Sequence, residues 1–142
     1  MRKSFSYLGM RFAEMGRGIG TAASRVLGDC VREAMEDARE TAPVGTGIRR
    51  EPRLVDSFSY EVNGLKGEMR VRNPHAAYVE FGTGVRGAQS TGTAPGGKYD
   101  ADWLGMAAQP YMYPAAQRAR GDFAQRMMTA VIEAATGRGG EE

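Results

Sequence analysis

Histidine and cysteine, the side chains most often recruited for chemistry, occur once each in this chain, as His75 and Cys30. A zinc site built on paired histidines or a cysteine cluster is therefore excluded, as is an intrachain disulfide. Cys30 with His75 is the one nucleophile dyad to weigh, but Cys30 falls on the apolar stripe of a helical pattern, where a buried, unreactive thiol is expected. Asp100 and Asp102 flank Ala101 in an Asp-x-Asp pair that suits a hard cation. No further ligand follows at EF-hand spacing, so loop solvation accounts for the pair. His75 and Glu80 make the best acid/base couple, with no nucleophile, metal shell or cofactor loop beside them. Gly16-Arg-Gly-Ile-Gly20 and Gly82-Thr-Gly-Val-Arg-Gly87 have the composition of phosphate loops without the context. The first follows a helical pattern rather than a strand, and the second leads into neither a helix pattern nor a Lys-Ser/Thr pair. No catalytic residue, cofactor or metal is assigned, and the chain is expected not to be an enzyme.

Two groups point instead to contact with a partner. Arg49, Arg50 and Arg53 could touch phosphate, although Glu51 interrupts them and three charges in a loop are ordinarily just hydrated. Trp103 is the only tryptophan. With Leu104 and Met106 it lies in a Gly-rich stretch, where it either tucks onto its own core or anchors a partner.

The elements that would carry these residues follow from hydrophobic periodicity. Phe5, Leu8, Phe12, Met15 and Ile19 recur at spacings of three and four, which makes an amphipathic helix. Gly16, Gly18 and Gly20 each cost about 1 kcal/mol against alanine in a helix, and predict a break or hinge there. A second helix is expected from Thr21, with Val26, Leu27, Cys30, Val31, Ala34, Met35 and Ala38 on its apolar side and Pro43 ending it. After a loop over 44–53 the period falls to two. Phe58, Tyr60 and Val62 alternate with polar residues, and Met69 and Val71 do so on the return, so the pattern is an antiparallel hairpin with a loop of about five residues around Asn63-Gly64. The segment 75–81 is a helical turn or a third strand. Residues 85–108 show no periodicity and form a long loop, expected to be flexible and to bind something. Pro114 suits the first turn of a last helix, whose stripe runs through Ala116, Ala119, Phe123, Met127, Val131 and Ile132 and ends near Thr136. The fold class is α+β: N-terminal helices, a hairpin-based antiparallel sheet, a long Gly-rich loop, and a C-terminal helix packed on the sheet. One domain over 1–136 and a disordered tail over 137–142 complete the organisation.

Composition bounds the function classes. With 142 residues, 42% hydrophobic and 25% charged, the chain is ordinary globular material. Its 19 basic and 17 acidic side chains nearly cancel, and no block of the sequence is a basic arm or an acidic tail. A strong electrostatic grip on nucleic acid is not indicated. A basic nucleic-acid-binding module stays as the alternative, on a sequence pI near 8.8 and the arginines Arg49, Arg50, Arg53, Arg70 and Arg72. No apolar run approaches the length of a membrane span, and the first residues lack a signal-peptide core, so a soluble protein without membrane partners is expected.

Three segments then converge. Ala42-Pro-Val-Gly-Thr-Gly-Ile-Arg49, Ala76-Ala-Tyr-Val-Glu-Phe-Gly-Thr83 and Ala108-Gln-Pro-Tyr-Met-Tyr-Pro-Ala115 together resemble the tail-completion or head-tail joining family of long-tailed phages. That family is typified by gene product ten of phage Hong Kong ninety-seven, a tail component. The resemblance runs from about Val26 to Ile132, with the three signatures in the family's order. It implies a structural virion protein of the neck, assembled in the bacterial host cytoplasm. Such a protein is a ring-forming tail-completion, tail-terminator or head-tail joining subunit that links the tail tube protein to the head connector or stopper. The implied assembly is a cyclic hexamer through which DNA passes without sequence-specific binding.

Geometry bears on the ring independently. A chain of this length approximates a sphere of about 19 Å radius; three in contact leave a hole of about 6 Å and six leave about 38 Å, so only rings of five or more pass a duplex about 20 Å across. Cyclic, head-to-tail interfaces close such rings. Under the resemblance, Tyr78, Val79 and Phe81 pack their segment on the sheet, and Gly82, Thr83 and Gly84 turn the chain into the long loop. Pro110 and Pro114 fix its exit, and Pro43, Thr46 and Gly47 shape the connection after the helix. Glu80 is expected to make an intersubunit or loop-anchoring ion pair with an arginine.

Overall fold

The computed structural model describes residues 5–44, 53–87 and 102–137, with backbone alone over 5–12. Helix α1 spans Phe5–Thr41 without interruption. The break expected at Gly16, Gly18 and Gly20 does not occur. Glycine lowers helix propensity but keeps both its N–H and its C=O, so a ladder established on either side propagates through it, whereas proline would interrupt it. A Cβ built on any of the three meets no neighbouring atom.

Past a short 3-10 turn at Leu54–Asp56 come β1 (Phe58–Asn63) and β2 (Lys66–Val71), which pair antiparallel with Phe58 opposite Val71 and Asn63 opposite Lys66. The turn is therefore Gly64-Leu65 alone, tighter than the expected loop; Lys66 and Gly67 already belong to the ladder. The segment whose type was open is a helix, α2 (Ala76–Phe81). A single helical turn, α3 (Gly84–Gly87), follows, and α4 spans Met112–Thr136, ending at Thr136 as expected; Gly137 caps it in the left-handed conformation.

Helix α4 lies antiparallel on α1. Arg118 pairs with Asp37 and Arg126 with Glu33, both at 2.6 Å, so ascending α4 descends α1. The buried residues of the two helices are small: Ala23, Cys30, Ala34 and Ala38 on α1, with Ala42 just past its end, and Ala115 and Ala130 on α4. Small side chains let the axes approach closely. The expected α4 stripe is shifted, since Ala116 and Ile132 are exposed and Ala115 and Ala130 are the buried positions. The hairpin packs beside α4 on α1, with Ser24 donating to the Gly64 carbonyl at 2.9 Å. Phe58, Met69, Val71, Leu54, Val55 and Val79 surround the one buried cluster, formed by Ala38, Ala42, Tyr111 and Ala115.

Gly67 sets the depth of the hairpin. A Cβ there would stand 2.5 Å from Val31 Cγ2 and 3.3 Å from Leu27 Cγ. Gly67→Val should therefore lower stability by about 1–3 kcal/mol through overpacking. Gly18→Ala, in open space on the helix surface, should raise it by up to about 1 kcal/mol. Urea denaturation midpoints measure both.

Candidate functional site

The third signature has no Ser, Thr, Asp or Asn at the start of α4: Gln109, Pro110 and Tyr111 precede Met112, and Tyr111 makes no side-chain cap. A helix start leaves four N–H groups without intrahelical partners. Glu80, brought in by α2, takes them. Its Oε2 accepts from Tyr111 N at 2.8 Å and Met112 N at 2.9 Å, and its Oε1 accepts from Tyr113 N at 2.9 Å. The fourth position is Pro114, which has no N–H to satisfy. The carboxylate is buried and lies at the positive end of the α4 dipole.

This corrects the expected role of Glu80: its partners are backbone amides of the same chain rather than an arginine. Both carboxylate oxygens accept from these amides, and His75 is exposed at the surface. The neighbouring Tyr111 ring is fully buried, meets Phe58 edge-on at 5.8 Å between centroids, and its hydroxyl donates to the Ala76 carbonyl at 3.2 Å. Burial, with Glu80 close by, pushes the Tyr111 phenol up to about 12.

From this anchor the chain doubles back on itself. Gln109 N donates to the Val79 carbonyl at 2.8 Å, Thr83 N to Met106 O at 2.8 Å, and Met106 N to Thr83 O at 3.1 Å. Val85 N reaches Trp103 O at 3.0 Å and Arg86 N reaches Leu104 O at 2.9 Å. Thr83 Oγ1 also accepts from Met106 N at 3.0 Å. The result is a clasp in which 82–87 and 103–109 run side by side. Gly82, Gly84 and Gly105 take positive φ values of 70°, 61° and 61° where the two runs touch. A Cβ on Gly82 would stand 2.6 Å from Met106 O, and one on Gly105 would overlap the Thr83 carbonyl. Both ends of the long loop are thus held, while 88–101 lie outside the described residues.

The clasp presents two large apolar residues outward: Trp103 is 47% exposed and Leu104 56%. Met106, whose backbone closes the clasp, is half-buried. Of the signature residues, Val79 packs against the core and Phe81 is half-buried, but Tyr78 is 36% exposed and does not join the core as expected. A helix this short turns Val79 and Glu80 inward and leaves Tyr78 on its outer side. Pro43 is half-buried just after α1, Pro110 is exposed, and Thr46, Gly47, Arg49 and Arg50 lie outside the described residues.

Of the arginines singled out in the sequence, Arg53 and Arg70 are engaged internally, while Arg72 is exposed. Arg53 pairs with Asp56 at 2.9 Å, and Arg70 pairs with Glu61 at 3.5 Å and with Glu68. Cys30 is buried as expected, and its thiol is pushed up by that burial against the opposing effect of Arg126. Among the described residues no group of His, Cys, Asp and Glu is arranged to hold a metal ion, and no helix is long and apolar enough to cross a membrane. Asp100 lies outside the described residues and Asp102 is exposed.

Sequence reasoning missed the Glu80 cap. Its signal was there: an acidic residue set between Val79 and Phe81, and a helix start with no capping residue of its own.

The sequence model of the family described as "Bacteriophage HK97-gp10, putative tail-component" matches residues 8–82, more than half of the chain. It covers the first signature and the second as far as Gly82, the first residue of the clasp. No curated protein and no solved structure matches significantly.

Glu80→Ala, which strands three buried amides, should cost about 2–4 kcal/mol in denaturant unfolding, and Glu80→Gln, which keeps one acceptor oxygen, less. The raised Tyr111 phenol means that the folded chain favours the neutral form. That contribution is complete below the unfolded value near 10 and is lost as pH rises toward 12. Thermal unfolding followed between pH 9 and 12 should show this alkaline loss in the parent chain, reduced in Tyr111→Phe.

Proposed function

The chain belongs to the bacteriophage HK97-gp10 tail-component family and is a phage tail protein of the virion; on that premise we propose that it is a non-catalytic, ring-forming subunit of the neck. In this reading it is a tail-completion, tail-terminator or head-tail joining protein that links the tail tube to the head connector. Six copies close around a channel that duplex DNA traverses without sequence-specific contact.

The observation that carries the proposal is the clasp. A backbone-bonded, glycine-interlocked platform tied to α4 through Glu80 holds Trp103 and Leu104 outward. Ordering an exposed apolar pair on a rigid support lowers the cost of docking to a neighbouring copy or ring. The wider surface agrees. Val85, Tyr113, Met128 and Ile132 are each more than half exposed, whereas Tyr111 is the one large side chain fully buried among the described residues. The near balance of charge suits a duplex that must slide, and the internal pairing of Arg53 and Arg70 weighs against the basic-module alternative.

Light scattering on the purified full chain, with negative-stain imaging of any assembly, tests the proposal. The expected result is closed rings. Trp103→Ala should weaken assembly by about 2 kcal/mol or more with monomer stability little changed. An equal loss of monomer stability would return Trp103 to an intrachain role.

A further inference from the structure

The two strands of the hairpin border grooves of different character. The groove between β2 and α4 is apolar, lined by Leu27, Met69 and Phe123. The one between β1 and α1 is charged, an open cleft of about 780 Å³ whose lining carries three guanidiniums, those of Arg17, Arg25 and Arg32, against the single carboxylate of Asp29. That carboxylate is already taken: Arg32 reaches it at 3.4 Å, and also reaches Glu36 at 3.5 Å. Arg17 and Arg25 are exposed and make no ion pair with any described residue. The full chain has a formal net charge of only +2, so two uncompensated guanidiniums in one cleft equal the excess of the whole molecule.

The cleft follows from the sequence of α1. Arg17, Thr21, Arg25, Gly28 and Arg32 recur at spacings of three and four, which places them on one helix face. Gly20 and Gly28 keep its floor low: a Cβ on Gly20 would meet nothing, and one on Gly28 would touch only Val62, at 3.9 Å. Tyr60, 43% exposed, lines the cleft from β1, and with Thr21 it adds hydroxyls to the arginines. None of the lining residues is buried, so the cleft is a surface channel rather than a pocket for a small anion.

We propose that the α1/β1 cleft is the surface along which the phosphodiester backbone of duplex DNA passes. The inference rests on the ring reading above, which brings a duplex past every copy, and it names the face that meets it. Arg17 and Arg25 stand eight residues apart, about 12 Å at the rise of an α-helix, which matches the roughly 12 Å width of a B-DNA major groove with its row of phosphates on each side. Arginine, threonine and tyrosine are all common phosphate-contacting side chains. An acidic protein segment would feel the same charge. An open channel without side-chain pockets, however, fits a polyanion whose charges repeat regularly along a rod. Two charge contacts per copy bind weakly and carry no sequence information, so the duplex is guided without being held.

Fluorescence anisotropy of a labelled mixed-sequence duplex, titrated with the full chain at several salt concentrations, tests this, with light scattering on the same samples. The expected result is binding that weakens as salt rises. Combining Arg17→Ala with Arg25→Ala should make the salt slope shallower by about one unit for each arginine removed, with the denaturation midpoint and the assembled mass unchanged. Arg39→Ala, which removes an exposed and equally unpaired arginine outside the cleft, should bind like the parent. An equal loss in Arg39→Ala reduces the effect to net charge and overturns the cleft. Rings whose duplex binding is absent, or untouched by the double substitution, also overturn the cleft and leave the ring standing. Single chains that bind duplex through the two arginines overturn the ring and keep the cleft. Poly-glutamate held by Arg17 and Arg25 more tightly than duplex overturns DNA as the occupant in favour of an acidic protein.

Discussion

One buried carboxylate organises the half of this protein that carries the clasp. Glu80 is taken out of water, which is favourable only because three backbone amides of α4 point at it and the helix dipole adds to their field. In return α4 gains the start that its own sequence does not provide. The coupling is geometric as well as energetic. It ties α2 to the first turn of α4, and so fixes where the chain from Thr83 to Pro110 must leave and return. Tyr111 is locked between Phe58 and the Ala76 carbonyl by the same arrangement. Without Glu80, the clasp would have no fixed base.

The remaining architecture is economical. Helices α1 and α4 meet through alanines, which give close contact but little buried apolar area per residue, and a two-stranded sheet leaves both its edges open. A hairpin of this size is marginal on its own and depends here on α1. Such a fold leaves large apolar side chains exposed on the clasp and an open apolar groove between β2 and α4. That distribution is what a subunit needs when its stability is shared with its neighbours in an assembly.

Much of this was legible in the sequence. The change of period from about 3.6 to 2 located the hairpin, Pro43 marked the end of α1, and the apolar stripes located the helical segments. The three signatures led to the family, whose match takes in the first and the second as far as Gly82. What could not be read is non-local. Three glycines argued for a break in α1, but local propensity carries less weight than a ladder that continues through them. Glu80 stood out as an acidic residue between Val79 and Phe81, but its partners lie about thirty residues away, and an arginine was the reasonable local expectation. Tyr78 was grouped with Val79 and Phe81 because consecutive residues in an untyped segment have no assigned face; once the segment is a helix, Tyr78 points outward. The pairing of 82–87 with 103–109 depends on backbone amides, which leave almost no trace in side-chain pattern beyond the glycines that permit it.

The most direct measurement is the position of this chain in the intact virion. Gold-labelled antibodies against it, applied to purified particles and to tails detached from heads, should mark a single site at the head-proximal end of the tail. Label distributed along the tube, confined to the distal tip, or absent from particles altogether would contradict a neck subunit.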